Sequence, residues 1–127
     1  MTMTTAVEAG FTSRAALGPA ATLFHSLSDP TRLAIVQRLA LGEARVVDLV
    51  GSLGLPQSTV STHLGCLRDC GLVTGRPQGR QVFYRLTQPG LLDLLAAAET
   101  VLVGTGSALA LCPRYTGHDR SSRPAGD

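Results

Sequence analysis

The spacing of hydrophobic positions predicts four helices before Gly71. In each, apolar side chains recur every three to four positions, so that one face of the helix can be buried. Polar and glycine residues mark the ends: Ser28 or Asp29 can cap a helix that starts at Pro30, and Gly71 ends the fourth helix. The predicted spans are Arg14–Leu27, Pro30 to about Leu41, Val46–Leu53 and Pro56 to about Cys70. The third and fourth are short and joined by a glycine-containing turn, which predicts a helix-turn-helix.

Beyond the fourth helix the pattern becomes that of strands. Leu72–Arg76 and Gln81–Leu86 are rich in β-branched and aromatic residues and flank the turn-forming segment Pro77–Arg80, which predicts a β-hairpin. Pro89 then opens a last helix with apolar residues on more than one face. This favours pairing with a second copy of the chain, and a helix folded onto its own core is the alternative. The predicted fold is mainly α with a small hairpin: a homodimeric winged helix-turn-helix of five to six helices.

Composition narrows the classes of protein. Of 127 residues, 44% are hydrophobic and 16% charged, which favours one folded domain over disorder. The longest apolar stretch, Leu91–Val103, holds two acidic residues and is too short to cross a membrane. Residues 1–13 and 113–127 show no helical or strand period and are expected to be flexible, which leaves 14–112 as the domain. The N-terminus resembles no export signal, so we expect a cytoplasmic protein.

The N-terminal half of the fourth helix carries a run of small hydrogen-bonding side chains. Val60, Leu64 and Leu67 lie at core spacing on the same helix, so the polar run can face the DNA major groove. A net charge of +2, from eleven arginines and nine acidic residues, does not by itself indicate DNA binding, and a solvated polar face is the alternative. The candidate DNA-binding residues, including two arginines of the hairpin, are Gln57, Ser58, Thr59, Ser61, Thr62, His63, Arg76 and Arg80.

Several separate motifs follow one another at characteristic distances. They are Ser28–Leu33, Ser58–Leu64 with Leu67, Gly71–Val73 and Gly79–Tyr84. With these motifs the sequence resembles the ArsR/SmtB family of winged-helix metal-responsive repressors over about residues 15–103. The resemblance implies a homodimer, paired through its first and last helices, that binds palindromic operator DNA and leaves it when an inducer binds. It implies no enzymatic activity.

An odd number of cysteines raises the question of a metal site. Cys66 and Cys70 are four residues apart on the fourth helix, so their Cβ atoms lie about 5–6 Å apart on one face and one soft cation can bridge the thiols. Two buried thiols without further function are the alternative. The remaining cysteine, Cys112, lies beyond the last helix.

The segment Cys66–Leu72 is similar to the cadmium and lead sensors of that family, which take a third cysteine from the C-terminal region. The resemblance implies a site of Cys66, Cys70 and Cys112, with Cys112 reaching across the dimer and Cd(II) or Pb(II) as inducer. Three thiolates also suit Hg(II). Zn(II) prefers four ligands, which His63 can complete. A zinc-sensing repressor and a repressor that senses oxidants through its thiols are therefore the alternative interpretations.

Overall fold

The helix and strand boundaries follow the signals in the sequence closely. The structure, a computed structural model, describes residues 12–107 and Leu111. The expected flexible tail at 113–127, most of the N-terminal segment and Cys112 lie outside the described residues. A short 3-10 turn at Ala15–Leu17 precedes the first helix. The elements are α1 (Gly18–Ser26), α2 (Pro30–Leu39), α3 (Val46–Leu53), α4 (Gln57–Asp69), β1 (Val73–Gln78), β2 (Gln81–Leu86) and α5 (Gly90–Gly104).

Helix α2 begins at a capped proline, as predicted. Asp29 has extended backbone angles, and its Oδ2 accepts hydrogen bonds from the backbone nitrogens of Thr31 at 2.9 Å and Arg32 at 3.1 Å. Pro30 occupies the first helical position, where a missing N–H costs nothing. The helix ends at Leu39, slightly earlier than the apolar pattern suggested.

One hydrophobic cluster joins the helices to the base of the hairpin. Val60, Leu64 and Leu67 of α4 are almost fully buried, which confirms the predicted core face of this helix. Ile35 of α2 and Leu49 of α3 have no exposed surface and lie in the same cluster. The core therefore fixes α4 by one face and leaves its other face at the surface.

A tight turn connects α4 directly to the hairpin. Gly71 has a φ of 78°, a conformation that glycine adopts without steric cost. The backbone nitrogen of Leu72 donates to the carbonyl of Leu67 at 3.0 Å, and the Thr87 nitrogen at the end of β2 donates to the carbonyl of Leu72 at 3.0 Å. These bonds attach both ends of the hairpin to the C-terminus of α4.

The hairpin is longer than predicted, and the predicted turn was wrong in extent. Strand β1 continues through Pro77 to Gln78, which pairs with Gln81, so the turn holds only two residues. Its first residue, Gly79, has a φ of 64°, as a two-residue turn of type II′ requires. Proline is tolerated because its nitrogen faces away from β2, on the free edge of the hairpin.

The loop between α2 and α3 pairs with the outer edge of β2. The backbone of Ala44 both donates to and accepts from Tyr84, at 3.1 and 2.8 Å. Because backbone groups alternate in direction along an antiparallel strand, the groups of Gly75 and Pro77 on β1 then point away from β2. The loop thereby acts as a short third strand that holds the base of the hairpin.

Apolar side chains remain exposed on the first and last helices. Phe24 of α1 is 57% exposed, and Val101 and Val103 of α5 are exposed by more than 60%. Leu91 and Leu95, at the start of α5, are buried in the core. The far end of α5 and part of α1 thus each present apolar surface to solvent. None of the helices in the described part of the chain has the length and hydrophobicity needed to cross a bilayer.

Candidate nucleic-acid interface and thiol site

The polar run of α4 forms an exposed surface at the N-terminal half of this helix. Gln57, Ser58, Ser61 and Thr62 are exposed, and Thr59 is partly buried. Because the core holds the opposite face, these side chains project together from the body of the protein. Hydroxyl and amide groups presented in this way match the hydrogen-bonding edges of bases and phosphates in a major groove.

His63 lies apart from this exposed run. Its side chain is 24% exposed, and its buried Nδ1 lies 3.8 Å from Oδ2 of Asp29, which is too long for a hydrogen bond. Two backbone bonds hold this carboxylate, and that of Arg32 contributes most to lowering the pKa of Asp29. His63 therefore lies between α4, the recognition helix, and the start of α2. Its predicted contact with DNA stays a prediction.

The two candidate arginines of the hairpin have different environments. Arg80 is exposed in the two-residue turn at the tip. Arg76 is bound to Glu43 through two hydrogen bonds, with Nη2 to Oε1 at 2.6 Å and Nε to Oε2 at 3.2 Å. Its Nη1 donates to Oε1 of Gln78 at 2.7 Å. Arg80 is thus placed as a wing-tip contact would require, whereas the guanidinium of Arg76 is already engaged.

The two thiols lie one helical turn apart at the end of α4. Cys66 is partly buried, Cys70 is exposed, and neither forms a disulfide. The backbone nitrogen of Cys70 donates to the Cys66 carbonyl at 3.1 Å, which places the two residues on one side of the helix. The Cys70 Sγ also contacts Oγ of Ser26 at 2.6 Å, and this buried hydroxyl donates to the carbonyl of Thr22 at 2.9 Å. Cys70 therefore connects α4 to the end of α1.

Leu111 shows where the chain runs just before Cys112. Its backbone nitrogen donates to Oε2 of Glu99 at 2.5 Å, and its carbonyl accepts from Nε2 of Gln37 at 3.0 Å. These bonds attach Leu111 to α5 and α2. Cys112 itself, the third predicted ligand, lies outside the described residues.

The donor set of the described residues fits a soft cation in part. Two thiols on one turn supply two ligands of the type that soft metals prefer. Among residues 12–107 and 111, no three His, Cys, Asp or Glu side chains come together as a metal cluster. Cys66 and Cys70 are the only thiols in this part of the chain.

Sequence reasoning missed two residues that contact the candidate groups. Ser26 lies 44 positions from Cys70, and Glu43 lies 33 positions from Arg76. For Ser26 the sequence contains one indication of burial: it follows Leu23 by three positions and so lies on the core-facing side of α1. For Glu43 the sequence contains no such indication, since its pairing with Arg76 depends on how the hairpin folds back onto the loop before α3.

The arrangement of α3, α4 and the hairpin defines a winged helix-turn-helix DNA-binding protein. A family model described as "Bacterial regulatory protein, arsR family" matches residues 29–74. The chain is 37% identical over 97 residues to the "Probable mercury resistance operon repressor" of Streptomyces lividans, covering 76% of this chain and 78% of that protein. The chain therefore belongs to the arsR family of transcriptional regulators and is not an enzyme.

Two further relatives fit the same family. The transcriptional regulator CmtR of Mycobacterium bovis is 42% identical over 83 residues, which cover 65% of this chain and 70% of that protein. The solution structure of the homodimeric winged helix-turn-helix DNA-binding domain of Mb0332, also from Mycobacterium bovis, aligns with a TM-score of 0.65 at 29% identity. That alignment covers 74% of this chain and 90% of the other. The predicted family and fold class are thus confirmed.

Proposed function

We propose that this protein is a metal-responsive repressor that binds operator DNA without metal and releases it when a soft metal ion binds. The observation that carries the proposal is the position of two thiols on the recognition helix. Cys66 and Cys70 lie at the C-terminal end of α4, and the exposed polar run lies at its N-terminal end. One rigid helix thus carries both the sensing groups and the DNA-reading groups.

The DNA-binding half of the proposal uses the surface of α4 and the tip of the hairpin. The exposed side chains at the start of α4 read base edges in the major groove, and Arg80 binds a backbone phosphate. The predicted contacts are Gln57, Ser58, Thr59, Ser61, Thr62, His63, Arg76 and Arg80. Of these, Arg76 is paired with Glu43, so its part in DNA binding is expected to be indirect, and His63 lies against the start of α2.

The functional unit in this proposal is a homodimer on a palindromic operator in the cytoplasm. Exposed Phe24, Val101 and Val103 give α1 and α5 an apolar surface that a second copy can cover. The homodimeric relative described above supports a dimer. Two copies present two α4 helices, and a palindrome supplies a half-site for each.

The metal-binding half of the proposal uses Cys66, Cys70 and Cys112. Thiolate ligands select soft cations, so Cd(II) and Pb(II) are the proposed inducers and Hg(II) is a further candidate. The name of one relative, a probable mercury resistance operon repressor, supports a metal inducer of this kind. Leu111 places the start of the C-terminal segment against α2 and α5, and Cys112 follows it directly.

The position of Cys70 explains how ligation changes DNA binding. Cys70 immediately precedes the Gly71 turn, so it stands between α4 and the hairpin, and its sulfur contacts α1 through Ser26. Bringing Cys70 and Cys112 together ties the recognition helix and the hairpin to the C-terminal segment. A difference of about 1–3 kcal/mol between the two states changes DNA occupancy roughly 5- to 150-fold.

A gel shift with the DNA upstream of the gene, titrated with each metal, tests this proposal. Cd(II) or Pb(II) should release the DNA, and thiolate absorption between about 240 and 260 nm should rise in parallel. Single changes Cys66→Ser, Cys70→Ser and Cys112→Ser should keep DNA binding and abolish release. A Cys112→Ser protein that responds normally to Cd(II) would contradict the three-thiol site.

The same titration distinguishes the two alternatives. A zinc sensor should release DNA with Zn(II) at lower concentration than with Cd(II), and His63→Ala should weaken that response. A redox sensor should release DNA with peroxide in metal-free, chelated buffer, and dithiothreitol should restore binding. Release by Cd(II) alone would exclude both.

A further inference from the structure

Arg76 and Glu43 form an ion pair between the wing, which is the hairpin of β1 and β2, and the loop before α3. Strand β1 carries Arg76, and Glu43 lies in the loop that leads to α3. The two side chains form a two-point contact, with both carboxylate oxygens accepting from the guanidinium. Two parallel bonds of this kind fix the relative orientation of the groups as well as their distance.

The Arg76 side chain has further contacts within the hairpin, although 48% of its surface remains exposed. Nη1 donates to Gln78 of the same strand. The guanidinium carbon lies 5.2 Å from the centre of the Phe83 ring, the residue directly opposite Arg76 in the hairpin. Arg45, in the loop before α3, lies 5.8 Å from the same ring centre. Three of its five N–H donors are engaged by Glu43 and Gln78, so a phosphate that took the two-point face of the guanidinium would compete with Glu43.

The backbone next to Glu43 is fixed as well. Ala44, the following residue, pairs with Tyr84 of β2 through two hydrogen bonds. Arg45 in turn bonds to Asp48 with both Nε and Nη2, at 2.9 and 2.8 Å. The Glu43 carboxylate is thus mounted on a loop that is attached to the hairpin on one side and to α3 on the other.

We propose that Arg76 is a positioning residue, which sets the angle of the wing through Glu43, and that Arg80 makes the phosphate contact of the wing. The inference goes beyond the proposed metal response, because it concerns DNA binding with or without an inducer. The pair also lowers the pKa of Glu43, with the hydrogen bond from Arg76 as the main cause, so the carboxylate is charged at neutral pH.

The salt dependence of DNA binding distinguishes the two roles. Each phosphate contact made by a cationic side chain contributes about 0.9 to the slope of log K against log salt concentration. Arg80→Ala should lower this slope by about 0.9 per protomer bound. Arg76→Ala should leave the slope unchanged and weaken binding by about two- to fivefold at any one salt concentration.

The measurement is a fluorescence anisotropy titration of the metal-free, full-length protein on a labelled duplex from upstream of its gene. A mixed-sequence duplex serves equally, because the salt term also governs non-specific binding. Arg76→Gln is the second variant, since it keeps part of the stem over Phe83 and a donor for Glu43. Thermal unfolding of each variant establishes that the proteins are folded.

Reversing the charges supplies the control for a positioning role. Arg76→Glu should weaken DNA binding through repulsion from Glu43, and adding Glu43→Arg should restore it to about twofold of the wild-type affinity. Restoration with an unchanged salt slope supports the proposal. A slope for Arg76→Ala or Arg76→Gln that falls as far as for Arg80→Ala overturns it. A double reversal as weak as Arg76→Glu alone, or an Arg80→Ala slope equal to wild type, overturns it too.

Discussion

The Sγ atom of Cys70 lies 2.6 Å from the hydroxyl oxygen of Ser26, although the two residues belong to different helices. The Ser26 hydroxyl is 2% exposed and gives its single proton to the carbonyl of Thr22. With the hydroxyl proton directed to Thr22, the thiol is the donor to Ser26. This contact attaches the end of the recognition helix to α1, which carries part of the exposed apolar surface.

Changing Ser26→Ala should lower the stability of the metal-free protein by about 1–3 kcal/mol, because the bonds of the hydroxyl to both Thr22 and Cys70 are lost. A metal-bound thiolate has no proton to donate, so a bond in this direction, from thiol to serine, exists only without metal. The variant should thus bind Cd(II) up to about fivefold more tightly. Urea unfolding and competition titration with a chelator measure the two effects.

Ser28→Ala is the matched control for this change. Its hydroxyl donates to the carbonyl of His25 at 2.7 Å on an exposed part of the chain. Metal affinity should stay at the wild-type value in this variant. Equal or weaker Cd(II) binding by Ser26→Ala would show that the serine supports the bound state instead.

Changing Glu99→Ala should weaken the response to metal roughly tenfold without altering DNA binding of the metal-free protein. Glu99 accepts the hydrogen bond from the nitrogen of Leu111, the residue before Cys112. Without this acceptor, the segment that carries the third proposed ligand moves more freely. More conformational entropy is therefore lost when the metal binds. Titration of DNA release with Cd(II) gives the magnitude.

Glu99→Gln keeps an acceptor oxygen and should behave more like the wild type than Glu99→Ala does. Gln37→Ala, which removes the donor to the Leu111 carbonyl, should resemble Glu99→Ala. If Glu99→Ala loses DNA binding together with the metal response, the residue has a general structural role and the prediction is wrong.

Changing Gly75→Ala should destabilise the protein by about 1–3 kcal/mol. A Cβ atom at this position would lie 2.8 Å from Cγ1 of Val82 and 3.0 Å from the ring of Tyr84, both on the opposite strand. The clash lies next to the pairing of Tyr84 with Ala44, so the wing should lose order first. Urea unfolding and amide exchange of β1 and β2 test this.

The same substitution at Gly51 should have the opposite sign. Gly51 lies in α3, and no atom approaches within 4 Å of an added Cβ. Alanine should therefore stabilise the protein by up to about 1 kcal/mol through helix propensity. Two destabilised variants would mean that the effect at Gly75 does not come from its close contacts.

Changing Asp29→Ala should lower the urea midpoint at neutral pH, because the first turn of α2 loses its capping carboxylate. The pKa of Asp29 is lowered from 3.8, mainly by the backbone bond from Arg32. A carboxylate of this kind stabilises above its ordinary pKa, and its contribution is lost as the pH falls through the lowered value. The difference from wild type should thus be constant at neutral pH and narrow below about pH 4.

Asp69→Ala is the control for this pH series. Asp69 is largely exposed at the end of α4, and its nearest ion-pair partner is Arg68 at 3.9 Å. Its replacement should leave the urea midpoint nearly unchanged at every pH. A gap between Asp29→Ala and wild type that persists at the lowest pH would mean that packing, and not the charge, carries the effect.

Local signals predicted the helices well because their causes are local. The Asp29 cap, Pro30 and the left-handed Gly71 each act within a few residues, and the spacing of Val60 and Leu67 reports directly on burial. The fold class and the exposed polar run of α4 follow from these signals alone.

Contacts between segments that are distant in the sequence could not be predicted from the pattern of hydrophobic and polar positions. The turn was predicted too long because Pro77 is a poor strand former, and only the register with Val82 shows that its nitrogen faces outward. The pairing of Glu43 with Arg76 likewise depends on the hairpin register and on the loop that pairs with β2. Sequence therefore located the candidate chemistry but could not say which side chains were already engaged.

The outward-facing nitrogen of Pro77 has a consequence for self-association. An unpaired strand edge presents a row of backbone N–H and C=O groups to which a strand of another molecule can hydrogen-bond. Such pairing is a common route to aggregation. Along the outer edge of β1, proline removes one such donor beside the turn. The wing is thereby a poor template for a strand of a second molecule at the position beside its turn.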